Sequence, residues 1–417
     1  MEEQQGLRTA KLIMVTEGNN NKYYEMKEYA DGTFSVTYGR VGGHPTKQTY
    51  PSREWNKKYN EKVNKGYKDQ THLFAETKQG EEELQFAEIA DRNVANLIND
   101  LMRFAKKSIS NNYNVSAEQV THKQVAEAQR ILDELVTKVK MNVDTKTFNQ
   151  TLLELYQIIP RKMAHVNEHL ITTIQTQEEL DALERKLSDE QATLDVMRGQ
   201  VEMNEKQKEA VEEQVSNQRE KIDILEAMGL QVESVNDEEI INQIKTLMQD
   251  HASHFQKAYK VINLKTQKSF DNYLEQKENK KLSLFWHGSR NENWISILET
   301  GLVLRPANAV ITGKMFGYGL YFADKFQKSL NYSSLQGSYW TRGTANVGFL
   351  ALYDVHVGNQ FHIKKHESWC YELTKEKLLE RGKYDSLFAE GGADLRNNEY
   401  IVYEQEQCTV KYLIEVK

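Results

Sequence analysis

Between residues 81 and 280 the chain carries one proline, Pro160, and almost no other helix breaker. A stretch of that length with so few breakers is what a mainly helical middle looks like, because proline and glycine are what end helices. Apolar residues recur at helical spacing along it. Ile89, Val94, Leu97, Ile98, Leu101 and Met102 form one stripe, and Val125, Ile131, Leu132, Leu135 and Val139 a second. Leu152, Leu153, Leu155, Tyr156, Ile158 and Ile159 form a third, and the spacing predicts several amphipathic helices packed together.

From about 177 to 226 the pattern tightens into heptads. Leu180, Leu187, Leu194, Val201, Val215 and Ile222 repeat every seven residues, with Leu183, Met197, Val211 and Leu225 at the second apolar position. Glu190, Asn204, Lys208 and Gln218 interrupt the seam. A helical hairpin bending near Gly199 and packed on the preceding helices is the expected arrangement. An intermolecular coiled coil is the alternative.

The flanks have another texture. Leu12–Val15, Tyr23-Tyr24 and Phe34–Tyr38 are short β-type runs separated by the turn signals Gly18–Asn21 and Asp31-Gly32. They predict a small antiparallel sheet closed by a helix over roughly 52–66. From 282 onward glycines cluster (Gly288, Gly301, Gly313, Gly317, Gly319), Pro306 lies in a loop-like stretch, and apolar strands recur at 349–353, 399–403 and 411–416. That end is expected to be β-rich, with little room for long helices. The fold class is therefore multidomain α+β: a small N-terminal antiparallel β domain (1–80), a central all-α bundle with the heptad segment (84–225), and a C-terminal β-rich mixed α/β domain (226–417).

Hydrophobic residues at 39% of the 417 suffice for several cores, and a net charge of −7 confines any nucleic-acid contact to a local patch. Two cysteines, Cys370 and Cys408, build neither a disulfide framework nor a four-cysteine zinc module, so a reducing compartment is expected. The first residues are acidic and polar, unlike a signal peptide, and no apolar run nears the ~20 residues that span a bilayer. An intracellular protein without a membrane partner is expected. His356, His362 and His366, and the pair His165 and His169, lack the cysteines or carboxylates of a metal site, and none is expected.

The chemistry-bearing residues sit in the last third. In "LFWHGSR" (284–290) an apolar strand delivers His287 to a glycine, Gly288, whose bare backbone lets a planar ligand pair with N–H and C=O. Tyr321 follows on a strand after Gly317 and Gly319, and Ser329 stands three residues before Tyr332. Two aromatics around a hydroxyl and an exposed backbone make a slot for a flat amide-bearing ring such as nicotinamide. Glu399 opens an apolar strand, where a carboxylate can stabilise an oxocarbenium ion and activate a hydroxyl. Gly313, Gly317 and Gly319 have the wrong spacing for a dinucleotide fingerprint, which disfavours hydride transfer.

The segments "FWHGSR", "GYGLYFAD", "KSLNYS" and "NEYIVYE", in this order, resemble the catalytic domain of the poly(ADP-ribose) polymerase family over about 230–417. The resemblance implies an ADP-ribosyltransferase fold with NAD as donor substrate and a triad of His287, Tyr321 and Glu399. It implies that His287 holds a ribose hydroxyl, that the Gly288 backbone and Ser329 grip the nicotinamide amide, and that Tyr332 and Tyr321 flank its ring. Ser289, Arg290 and Asn293 then lie toward the adenosine half, and Lys328 helps shape the acceptor side. Glu399 binds the nicotinamide-ribose hydroxyl and orients the acceptor.

The resemblance extends upstream. "TYGRVGG" (37–43) is similar to the WGR domain of these enzymes, with Tyr38 where the family usually has tryptophan. Arg40, Lys47, Arg53, Lys57, Lys58, Lys62, Lys65 and Lys68 face only Glu54, Glu61 and Asp69 across 40–69, interleaved with Tyr50, Trp55, Tyr59 and Tyr67. Such a patch suits a DNA backbone, with Tyr38, Arg40, Arg53, Trp55 and Lys57 as contacts; a solvated lysine-rich helix face is the alternative. "THKQVAEAQRILDEL" and "NQTLLELYQIIPRK" resemble the family's regulatory helical domain.

The implied function is a polymerase activated by DNA strand breaks that modifies protein acceptors, itself included. It would be nuclear in a eukaryote and cytoplasmic, at the nucleoid, in a bacterium. A mono-ADP-ribosyltransferase on the same fold, or a DNA-end-binding scaffold with a vestigial site, are the alternatives.

Overall fold

The computed structural model describes residues 7–74, 86–115, 117–140, 144–173, 176–216, 221–304, 315–335 and 345–417. Pro306, Gly313 and Gln218 lie outside them. The chain divides into two compact units: one holds residues 1–81 and 108–201, the other 82–107, 202–309 and 313–417.

In the first unit β1 (Thr9–Thr16), β2 (Asn20–Glu28), β3 (Thr33–Arg40) and β4 (Thr46–Pro51) form an antiparallel meander. The turn from β2 to β3 uses Gly32 at φ 82°, and the Asp31 carboxylate accepts from the Thr33 N–H at 2.9 Å. Helix α1 (Trp55–Val63) follows, and β5 (Lys68–Asp69) pairs with β1 at the sheet's other edge. Leu12, Met26, Phe34, Val36 and Trp55 are buried together beneath it.

Helix α2 (Arg92–Asn112) belongs to the second unit up to Lys107 and to the first beyond it. Helices α3 (His122–Lys140) and α4 (Thr145–Ile158) lie in the first unit; α3 buries Val125, Ile131, Leu132 and Leu135 with Val139 half-buried, and α4 buries Leu152, Leu153, Leu155, Tyr156 and Ile158. Asp144 caps α4 by accepting from the Thr147 N–H at 3.0 Å.

The heptad stretch departs from expectation. It is one unbroken helix, α5 (Gln177–Ser216), and no bend forms at Gly199. A mid-helix glycine costs only about 1 kcal/mol, which the buried Val196, Met197, Val201 and Met203 on either side outweigh. Leu183, Leu187, Leu194, Met197 and Val201 are covered by the chain itself, so that part of the seam is not offered to a second copy. The interrupting Glu190 forms a buried ion pair with Arg161 at 2.7 Å.

The second unit continues with a short helix α6 (Ile224–Ala227), β6 (Leu230–Ser234), α7 (Glu238–Leu247), β7 (Phe255–Asn263) and α8 (Leu264–Glu275). Then come β8 (Leu282–Gly288), α9 (Trp294–Thr300), β9 (Leu320–Phe322), α10 (Phe326–Leu330) and β10 (Gly348–His356). Last are β11 (Gln360–Ile363), α11 (Lys375–Glu380), β12 (Ser386–Ala389), β13 (Glu399–Val402) and β14 (Cys408–Val416).

Two sheets result, ordered β6-β7-β14-β10-β8 and β11-β12-β13-β9. Reciprocal hydrogen bonds of 2.8 and 3.0 Å between Trp286 and Ala323 tie edge strand β8 to the segment after β9, joining the sheets. The larger sheet buries Trp286, Leu350, Leu352, Ile414 and Val416 against Ile244, Met248 and Phe326; the smaller buries Leu387 and Ile401 with Phe316 and Leu373. As expected, this part is β-rich and its helices are short. No helix among the described residues is long and apolar enough to cross a membrane.

Candidate active site

The junction of the two sheets positions the site. His287 is the penultimate residue of β8, and the rings of Phe322, Tyr353 and Trp294 surround it at 5.8, 6.0 and 6.3 Å. Its Nδ1 lies 3.1 Å from the Tyr321 carbonyl. A carbonyl only accepts, so Nδ1 is the donor in this contact.

The next residue packs backbone to backbone against α10. A Cβ at position 288 would stand 2.0 Å from the Ser329 carbonyl oxygen, so only glycine lets strand and helix approach this closely. Gly288 and the buried Ser329 are thereby brought together. Tyr332, one turn on, is 44% exposed.

Tyr321 lies on β9 with its hydroxyl fully used: it donates to Gly317 O at 2.9 Å and accepts from Phe316 N–H at 3.0 Å. Burial holds its ionisation far above the usual phenol range, so it acts as a neutral wall. Gly317 has φ 71°, and a Cβ there would lie 2.1 Å from Leu373 O.

Glu399 is the first residue of β13, paired through β12 and β9 on either side. Lys328 of α10 reaches across to it: Nζ is 2.5 Å from Glu399 Oε1 and 3.1 Å from the Asn398 carbonyl. Burial lowers the affinity of Lys328 for its proton, and Glu399 works against that effect. The second carboxylate oxygen, Oε2, is buried without a hydrogen-bond partner among the described residues. A buried ionised oxygen left so is costly unless a ligand donates to it. The charge of Glu399 reaches both Tyr321 and Tyr332 and disfavours their ionisation.

The structure therefore links His287 to Tyr321, Gly288 to Ser329 and Lys328 to Glu399. Asn293, at the start of α9, donates to Ser289 Oγ at 3.0 Å, and Arg290 between them is half-buried. Sequence reasoning missed Asp324, which accepts from Asn398 Nδ2 at 2.7 Å, and Tyr353, which packs behind His287. The only sequence signal for Asp324 is its place at the end of "GYGLYFAD".

The N-terminal basic patch is only in part a surface. Trp55 is buried at 6% exposure, with Phe34 edge-on at 5.3 Å and Arg8 over its ring, so it is a core residue and its expected DNA contact is withdrawn. Arg40 is half-buried and donates to Asn19 O and Ala164 O, both at 2.8 Å. Tyr38 packs half-buried on Tyr24 at 5.7 Å, and Lys62 lies over both rings. Arg53 and Lys57 are exposed. Among the described residues no group of three or more His, Cys, Asp or Glu is placed to hold a metal ion.

Residues 236–417 match the family described as the poly(ADP-ribose) polymerase catalytic domain. The chain is similar to the poly(ADP-ribose) polymerase-like protein 100L of Invertebrate iridescent virus 6, with 36% identity over 166 residues, 38% of this chain and 84% of that protein. It is also 36% identical over 184 residues to the uncharacterised protein 101L of the same virus, 42% of this chain and 76% of that protein. Poly(ADP-ribose) polymerase 1 of Danio rerio is 26% identical over 309 residues, covering 68% of this chain and 29% of that protein. The match thus spans most of the viral relatives and under a third of the fish enzyme.

Proposed function

The chain belongs to the poly(ADP-ribose) polymerase family and is an NAD-dependent ADP-ribosyltransferase, and on that premise we propose that it builds poly(ADP-ribose) on protein acceptors, itself included, in response to DNA strand breaks. The observation that carries the polymerase reading is Glu399 Oε2, a buried carboxylate oxygen with no hydrogen-bond partner among the described residues, held from its other side by Lys328.

In this reading the nicotinamide ring lies between Tyr321 and Tyr332. Its carboxamide pairs with the Gly288 backbone and the Ser329 hydroxyl, and His287 Nε2 accepts from a ribose hydroxyl. Ser289, Arg290 and Asn293 face the adenosine half. Glu399 Oε2 accepts from the nicotinamide-ribose hydroxyl. As the C1–N bond breaks, its electron pair leaves with nicotinamide, and the carboxylate lies beside the positive charge left on the ribose. An acceptor oxygen then bonds to C1 and gives up its proton to solvent. When that acceptor is a ribose hydroxyl, Glu399 orients it, and the chain grows. Lys328 keeps the carboxylate in place on the acceptor side.

The DNA-break reading is supported by the exposed Arg53 and Lys57, the half-buried Tyr38, and the similarity to the fish polymerase well upstream of the catalytic segment. The N-terminal WGR-like segment is the DNA sensor in this reading, and the helices of residues 84–225 regulate the site.

Labelled NAD with and without nicked DNA tests this. A ladder of products that rises with nicked DNA is expected. A single discrete adduct means mono-transfer, equal ladders with and without DNA refute the activation, and tight DNA binding without NAD turnover marks a vestigial site.

A further inference from the structure

We propose that Asp324 is a positioning residue for Glu399, acting through Asn398 and Lys328 and not on the substrate. The inference rests on the reading of Glu399 as the group that works on the ribose.

Strand register brings the two segments together. Tyr400 of β13 pairs with Phe322 of β9, and continuing that antiparallel register sets Asp324 opposite Asn398. Asp324 Oδ2 accepts from Asn398 Nδ2 at 2.7 Å and lies 3.4 Å from the Tyr400 hydroxyl. These are the residues immediately before and after Glu399, so one carboxylate oxygen holds both flanks of the site residue.

Asn398 is clamped from two further directions. Its Oδ1 accepts from the Gly391 N–H at 2.9 Å, and its carbonyl accepts from Lys328 Nζ at 3.1 Å. The same Nζ donates to Glu399. A closed set results, in which Asp324 fixes Asn398, Asn398 fixes Lys328, and Lys328 fixes Glu399. Placement of a carboxylate to within a fraction of an ångström is what a near-attack geometry requires, and small errors there are costly in rate.

An asparagine at 324 would offer Asn398 the same acceptor. What the aspartate alone supplies is a negative charge. Its other oxygen, Oδ1, is buried without a hydrogen-bond partner among the described residues, an arrangement that costs stability and that a merely structural contact does not need. The charge acts on Lys328, which is flanked by Glu399 of β13 and by Asp324, both of which favour its ammonium form against burial. The other ionisable groups coupled to Glu399 are the neutral phenols Tyr321 and Tyr332.

The test compares full-length wild type, Asp324→Asn and Asn398→Ala by NAD turnover against pH, with thermal melts to confirm folding. Asp324→Asn keeps the acceptor and loses the charge. It is expected to lower kcat about tenfold with the KM for NAD within about twofold, and to move the alkaline limb of kcat/KM to lower pH by about half a unit. Asn398→Ala is expected to lower kcat with the alkaline limb unmoved. A folded Asp324→Asn with the wild-type kcat and pH profile overturns the proposal. If that variant does not fold, the decision passes to Asn398→Ala: lowered kcat at unchanged KM supports the proposal, and wild-type kinetics overturn it. A Glu399→Gln variant that retains turnover instead refutes the underlying reading of the site, whatever Asp324 does.

Discussion

Lys328 Nζ sits 2.5 Å from one oxygen of Glu399, and the other oxygen of the same carboxylate is buried with no hydrogen-bond partner among the described residues. The pairing divides the carboxylate into an anchored side and a working side. An ion pair so buried contributes little net stability, because desolvation offsets the Coulomb gain, but it fixes orientation.

Lys328→Met removes the anchor and leaves the carboxylate free to rotate. Nicotinamide release at saturating NAD is expected to fall roughly 10- to 100-fold, with the KM for NAD changed less than about threefold. Steady-state kinetics check it; a loss confined to KM assigns Lys328 to donor binding instead.

Gly288→Ala forces a Cβ to within 2.0 Å of Ser329 O, so β8 and α10 must separate. Those two residues grip the carboxamide in the proposed reading. NAD affinity measured calorimetrically is expected to weaken at least about tenfold, with Tm lowered by a few degrees. Wild-type affinity in a folded variant removes the Gly288 backbone from the donor site.

The side chain of Glu299 in α9 is fully enclosed, and its cationic neighbour, Lys206, is 3.5 Å away. Burial pushes its carboxyl up to about 7 from the ordinary 4.5. The folded state therefore holds the proton more tightly than the unfolded chain. The stability this confers is complete below about pH 4.5 and is lost as pH rises to about 7, a change on the order of 3 kcal/mol. Glu299→Gln cannot ionise, so wild type is expected to lose Tm relative to the variant between those pH values. Parallel Tm curves contradict the assignment.

The buried pair Arg161–Glu190, at 2.7 Å with Tyr156 OH 3.4 Å from the same carboxylate, ties α4 and the segment just after it to α5. Arg161→Met leaves Glu190 charged and unpaired, which costs about 3–5 kcal/mol. Thermal melts should show the loss, and the double variant Arg161→Met/Glu190→Leu should recover most of it.

Periodicity made the framework legible: the stripes fall on α2, α3 and α4 apart from Ile89 and Ile159, which lie just outside them, and strands carry His287, Tyr321 and Glu399. It fails where one pattern has two meanings. Trp55 in a lysine-rich helix reads the same whether its ring faces a sheet or a nucleic acid, and here it faces Phe34. Gly199 reads as a bend unless the burial of its neighbours is known. Asp324 and Asn398 are 74 residues apart, and no local spacing announces their hydrogen bond.

The most direct test of the central claim is Glu399→Gln, which keeps the shape of the side chain and removes its charge. At saturating labelled NAD with nicked DNA, the wild type is expected to produce a ladder and the variant at most a single short adduct, with nicotinamide release reduced at least about a hundredfold and NAD affinity unchanged within about threefold. A Glu399→Gln variant that still builds the ladder at the wild-type rate contradicts the account.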